Sequence, residues 1–298
     1  MYSDNIRAAL FMLLAMAGFV INDTFVKIAS ADVSPAQIMA IRGVAASLFL
    51  YILAWKLRAL RPMRLALSPR LLLRTAADIL ATLSYITALG QMPIANASAI
   101  FQALPLTVTL GAALFLGEPV GWRRWTAIAV GFIGVMIIVR PGTEGFTIYS
   151  VAVLASVVFA AVRDLSTRRM DKAVPSIFIA LVTSIAVSLV GWLLLPFSGG
   201  WQPVSTSLLV TLCCAAAAIA VGYIFIVQAM RTGDMGFVAP FRYSILLYAL
   251  LLGYLVFGDL PAPLTLLGAA IVVASGLYTL YRERLRGVVE VPPTQQVH

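Results

Sequence analysis

Apolar residues along this chain gather into ten runs. Each is close to the roughly 20 residues that a helix needs to cross the hydrocarbon core of a bilayer. The runs lie near 6–28, 35–55, 70–90, 93–116, 121–140, 147–168, 174–196, 206–230, 236–258 and 261–281. Turn-forming joints separate many of them, among them Gly117-Glu118-Pro119, Pro141-Gly142 and Ser198-Gly199-Gly200. The pattern predicts an all-α integral membrane protein of ten transmembrane helices. Ala15-Met16-Ala17 in the first run resembles a signal-peptide cleavage site. Hydrophobicity continues past it, however, and the run has a counterpart later in the chain, so it is read as a true span.

Composition supports this reading. Of 298 residues, 61% are hydrophobic and 11% charged, and the mean hydropathy is +0.98. Soluble domains carry about 25% charged residues, so this chain lacks the polar groups to cover a surface in water. The net charge of +9 invites an anionic partner, but loop placement explains it better. With both termini in the cytoplasm, the inside positions collect Arg7, Lys56, Arg58, Arg61, Arg64, Arg70, Arg123, Arg124, Arg168, Arg169, Lys172, Arg231, Arg282, Arg284 and Arg286. The outside loops hold Lys27 and Arg140. Such asymmetry is the signature of positive-inside orientation, and an even number of spans preserves it. The expected location is a bacterial inner membrane.

Several features recur at an offset of 141 residues: Asp23 with Asp164, Lys27 with Arg168, Ala88 with Ala229, and Gly117-Glu118 with Gly258-Asp259. We expect two related units, 1–145 and 146–286, followed by a polar tail, 287–298. Five spans per unit force the second to enter the membrane upside down relative to the first. Inverted repeats of this kind are typical of secondary transporters, with the substrate site between the halves. Alternating access then follows from two similar packings of nearly equal energy.

Ionisable groups within a span cost about 2.5–3.5 kcal/mol each on insertion scales, so each calls for a partner or a purpose. Asp23, Arg42, Asp78, Asp164 and Arg242 sit well inside the runs, whereas Arg74 and Arg163 lie near the inner surface, where snorkelling accounts for them. Asp23 and Lys27, like Asp164 and Arg168, are spaced to pair along one helical face, and local neutralisation competes there with a role in coupling. An outer cluster (Asp23, Arg42) and an inner cluster (Asp164, Asp78, Arg242) would make alternating gates. Permanent ion pairs, or a ligand-binding Arg242, are the competing readings. Asn22, Tyr85, Asn96, Gln102, Tyr223, Gln228, Tyr243 and Tyr248 are polar or aromatic groups in apolar runs. As a set they suit a planar, polar organic substrate, although each alone reads as an interhelical or interfacial contact. Pro105 and Pro240 interrupt the fourth and ninth runs, where a static kink and a hinge are both open. Gly131, Gly134, Gly268 and Gly276 read as close-packing positions. Cys213 and Cys214 read as small core residues. The single histidine, His298, leaves no buried imidazole for Ser-His or metal chemistry, and no cofactor or metal is expected.

The helix-four and helix-nine endings Leu116-Gly117-Glu118 and Phe257-Gly258-Asp259, with the two-fold ten-helix plan, resemble EamA-type carriers of the drug/metabolite transporter superfamily. The second ending carries Asp where that family usually has Glu. Asn22-Asp23 with Lys27, Trp122-Arg123-Arg124-Trp125 leading into Gly131-Phe132-Ile133-Gly134, and Ala239-Pro240-Phe241-Arg242-Tyr243 resemble a branch with riboflavin and S-adenosylmethionine carriers. The resemblance implies movement of a metabolite or vitamin across the inner membrane, with riboflavin the leading substrate and S-adenosylmethionine the second. Export of amino acids or toxic organic compounds is the alternative within transport. A different class, an intramembrane protease, has only a near miss to Gly-x-Gly-Asp in Arg231-Thr232-Gly233-Asp234. The expected partners are a small-molecule substrate, the lipid bilayer, a coupling proton taken up through Asp23, Asp78 or Asp164, and a second copy in a homodimer; nucleic acid is not expected.

Overall fold

The computed structural model describes residues 2–117, 121–141, 147–170, 174–232 and 235–287. Glu118, Pro119, Gly142, the 145–146 boundary, Lys172, Gly233, Asp234 and the tail beyond Gly287 lie outside the described residues, as do the side chains of Arg168, Arg231, Arg284 and Arg286. The helices are α1 (Tyr2–Ala29), α2 (Pro35–Lys56), α3 (Pro69–Leu89), α4 (Ile94–Phe101), α5 (Leu104–Phe115) and α6 (Trp122–Val139). They continue as α7 (Ile148–Arg168), α8 (Ser176–Leu194), α9 (Thr206–Thr232), α10 (Met235–Val238), α11 (Ser244–Phe257) and α12 (Pro263–Gly287). Ten stretches among them are long and apolar enough to cross a membrane, from Asp4–Ala29 to Pro263–Arg282. They match the ten expected runs to within a few residues at either end.

Local chemistry explains the boundaries. Ser34 caps α2, its hydroxyl accepting from the Gln37 N–H at 3.3 Å, and Pro35 opens the helix where an amide hydrogen would go unused. The fourth span stops at Gln102–Ala103 and resumes at Leu104. Pro105 has no N–H to give to the carbonyl of Phe101, so the helix cannot run through. The ninth span contains the matching irregularity, a 3-10 turn at Ala239–Tyr243 that includes Pro240. Both of these spans end on a left-handed glycine, Gly117 at φ 67° and Gly258 at φ 69°. That conformation costs a side-chain-bearing residue about 1–2 kcal/mol and glycine almost nothing.

The packing has a pseudo-two-fold plan. α1 lies along α9 as α7 lies along α3, and α1 meets α11 as α7 meets α4 and α5. The pairs α2–α8, α6–α12 and α4–α11 join equivalent spans of the two halves. At the α6–α12 crossing the relation holds residue by residue. Gly134 sits against the carbonyl of Gly268, and Ser275 donates to the carbonyl of Ala127. Gly134 and Ser275 stand 141 positions apart, and so do Ala127 and Gly268. Two five-helix units, oppositely oriented, therefore form one bundle.

Outside the core, large apolar side chains such as Leu48, Leu114, Phe115, Leu193 and Leu247 are more than 60% exposed. Water would penalise such a surface by about 25 cal/mol per Å²; lipid does not. Cys213 and Cys214 belong to this outer face of α9, exposed rather than in the core. The small residues α9 uses for packing lie elsewhere on its circumference, at Ala215, Ala216 and Ala220.

Candidate functional site

Where α1, α2, α3, α4, α7, α8 and α9 converge, the two halves enclose a cavity of about 230 Å³. Five charged residues line it: Asp23, Arg42, Arg74, Asp78 and Arg163. Asn22, Thr82, Ser156, Thr183 and Ser184 add neutral polar groups, and Tyr85, Phe101 and Tyr223 supply aromatic walls. Tyr85 and Phe101 meet edge to face with centroids 5.2 Å apart, which holds the tyrosine ring in place.

The charges fall into two groups, each containing one of the equivalent residues Asp23 and Asp164. In the first, Asp23 accepts from the Tyr85 hydroxyl at 2.9 Å and from the Asn22 amide at 2.9 Å. Arg42 Nη1 donates to the other end of that amide, Asn22 Oδ1, at 2.9 Å. Asn22 thus stands between cation and carboxylate, and Asp23 has no ion pair within 4.0 Å among the described residues. In the second group, Arg163 binds Asp78 through Nη1 at 2.9 Å and Asp164 through Nε at 2.8 Å. Arg74 stands 3.9 Å from Asp78 and donates to Thr183 at 2.6 Å and Thr167 at 3.0 Å.

Asp23, Arg42, Asp78, Asn22, Tyr85 and Tyr223 thus share one cavity, and Asp164 is tied to its wall through Arg163. Three sequence expectations change. Arg242 does not join Asp78 and Asp164; it is exposed in the 3-10 turn Ala239–Tyr243. The turn alters the helical phase, so counting residues from the start of the span misplaces it. The cation in that cluster is Arg163, assisted by Arg74, the two arginines that snorkelling was expected to explain. Lys27 does not pair with Asp23 either. Its ammonium donates to the Met92 carbonyl at 2.6 Å and lies 3.6 Å from Asp259, at the end of the bundle where α1 finishes.

Other expected residues stand outside the lining. Gln102 is buried at the break between α4 and α5. Tyr243 is buried with its hydroxyl over Gly276. Asn96, Gln228 and Tyr248 also lie apart from the cavity. Two signals could have revealed Arg163 and Arg74. Arg163 occupies the position of Asn22 one repeat later, and Arg74 precedes Asp78 by one helical turn.

Comparison with known proteins gives concordant results. The model of the EamA-like transporter family matches residues 6–140 and again 147–281. The chain is 28% identical to a pseudopaline exporter of Pseudomonas aeruginosa over 89% of its length and 93% of that protein's. It is 32% identical to a riboflavin transporter of Rhizobium johnstonii, covering 73% and 72% of the two chains. It is 26% identical to an S-adenosylmethionine uptake transporter of Rickettsia felis, covering 64% and 65%. A solved crystal structure superposes with a TM-score of 0.63 over 93% of this chain and 98% of its own, at 18% identity, a likeness of fold.

Proposed function

The chain belongs to the EamA-like transporter family, and from that premise we propose that it is a secondary carrier for a planar, uncharged metabolite, with riboflavin as the leading substrate. One observation carries the choice. The cavity presents three guanidinium groups against two carboxylates, and each carboxylate is already engaged by donors of the protein. Asp164 balances Arg163 from behind the wall, so a cationic solute such as S-adenosylmethionine would have to compete with Arg163 for Asp78 or displace the two donors that hold Asp23. A neutral ring system with carbonyl acceptors gains hydrogen bonds from arginine and flat contact with Tyr85, Phe101 and Tyr223. At about 230 Å³ the cavity is smaller than the roughly 300–1,000 Å³ of typical ligand sites, so such a substrate requires the halves to part.

Orientation supports an inner-membrane carrier. The end of the bundle where α1 begins and α12 finishes also carries Lys56, Arg58, Arg61, Arg70, Arg123 and Arg169, while Lys27 and Arg140 lie at the other. By the positive-inside rule the former end is cytoplasmic.

The three arginines of the lining also favour a second reading, export of a carboxylate-bearing metabolite, and the exporter relative matches over most of this chain. Growth rescue of a riboflavin-auxotrophic bacterium without its own importer separates the two. Rescue at micromolar riboflavin is expected, lost in an expressed Arg42→Ala variant and kept in Arg242→Ala, whose side chain lies outside the cavity. No rescue by well-expressed wild type would discard riboflavin uptake and leave export as the reading to pursue.

A further inference from the structure

Asp23 and Asp164 occupy equivalent positions in the two halves, yet among the described residues Asp164 has an ion pair and Asp23 has none. Position 163 holds an arginine that binds Asp164 and Asp78 together; position 22, its equivalent, holds a neutral asparagine. Asp23 is therefore a carboxylate on the cavity wall, held by two neutral donors, Tyr85 and Asn22. We propose that Asp23 is a proton-binding site and that substrate and proton cross together.

The argument rests on where charge can be given up at least cost. Neutralising Asp78 or Asp164 would remove one of the two carboxylates that balance Arg163, and breaking a buried ion pair is costly. Neutralising Asp23 breaks no ion pair within 4.0 Å among the described residues. The groups around it are identifiable. Arg42 from α2 and Tyr223 from α9 line the same space, as do Arg74, Asp78 and Tyr85 from α3 and Arg163 from α7. Lys27, one turn along α1, is engaged with Met92 and Asp259. Arg242, Tyr243 and Tyr248, on elements packed against α1, stand outside the lining. Of the cations, Arg42 interacts with Asp23 electrostatically, across the Asn22 amide. The proton comes from water on one side, converts the carboxylate to the neutral acid and leaves to water on the other. While it is bound, Arg42 no longer faces a negative charge, and the cavity attracts an electron-rich acceptor group more strongly. Proton and substrate thus favour each other, which is symport.

The protonation step stands independently of substrate identity; the coupling step rests on the carrier reading above. Infrared titration of the protein in lipid bilayers tests the first. A carbonyl stretch of a protonated carboxyl should titrate in the wild type, vanish in Asp23→Asn, and persist in Asp164→Asn. Tyr85→Phe, which removes a donor to the carboxylate and keeps the acid, should move the midpoint about one pH unit or more upward. A band unchanged in Asp23→Asn, or a midpoint unmoved in Tyr85→Phe, overturns the site. In proteoliposomes, an acidic outside should raise riboflavin accumulation in the wild type, and Asp23→Asn should abolish that dependence. Active riboflavin counterflow indifferent to the gradient overturns symport. Absence of any riboflavin counterflow counts against the substrate reading, and the infrared result still decides the proton site.

Discussion

The two halves of this protein share a backbone plan and differ in how they treat the same carboxylate. In the second half Asp164 is clamped by Arg163, which also reaches across to Asp78 of the first half, where Arg74 stands beside it. In the first half Asp23 rests on a tyrosine and an amide, and its arginine reaches only as far as Asn22. A clamped network is strong and holds its charge state; a cradle of neutral donors can exchange a proton or a substrate group. The difference traces to one position of the repeat, asparagine at 22 and arginine at 163.

The most severe way to break the comparison is Arg163→Asn, which gives the second half the first half's residue. Asp78 and Asp164 would lose their shared partner inside the bundle, leaving Arg74 at 3.9 Å from one of them. Breaking a buried pair on one side costs about 3–5 kcal/mol, moderated here because Asp164 is 35% exposed. A large drop in melting temperature is expected in thermal-shift measurements on purified protein. Adding Asp78→Asn should restore part of it. A melting temperature equal to wild type would show that the clamp is ornamental.

A smaller effect tests the backbone symmetry. A Cβ at Gly134 would meet the Gly268 carbonyl at 2.9 Å and the methyls of Ile271 and Val272 at 3.0 Å. Gly134→Ala should cost about 1–3 kcal/mol through overpacking. At the related point, Ser275→Ala removes one hydrogen bond to Ala127, worth about 1 kcal/mol. Finding the serine more costly than the glycine would contradict the tight approach of α6 to α12.

The ten spans were legible because lipid imposes a length and an apolar composition that local sequence must satisfy. The offset of 141 was legible because Asp23/Asp164 and Gly117/Gly258 kept their identities; the family model repeats the same interval. Residues such as Asp23, Arg42, Asp78 and Tyr85 were found because polar groups in apolar runs need a reason. Their partners were not, since pairing depends on helix phase and crossing. Lys27 lies one turn from Asp23, yet the end of the ninth span brings Asp259 closer to it. Arg242 looked buried by residue count, and the 3-10 turn at Pro240 turned it outward. Arg163 reads as a snorkelling residue from its place near the inner surface, although α3 carries Asp78 to it.

The mildest perturbation concerns the end of the bundle where α1 finishes, where Lys27 links α1 to the Met92 carbonyl and to Asp259 after α11. Asp259→Asn removes a charge that is 32% exposed and 3.6 Å away. Partly exposed pairs are worth about 0.2–1 kcal/mol, so the melting temperature should barely move. The substituted side chain sits outside the cavity, and Lys27 keeps its bond to Met92, so substrate recognition should be untouched. The effect belongs in the balance between access states. If this contact closes that end, Asp259→Asn should raise the labelling rate of a cysteine placed at Val26, on the cavity wall, by a membrane-impermeant thiol reagent added from outside, in a background lacking Cys213 and Cys214. A gain of about twofold to fivefold corresponds to the weakened pair. An unchanged labelling rate would mean that the helices, and not this ion pair, keep that end shut.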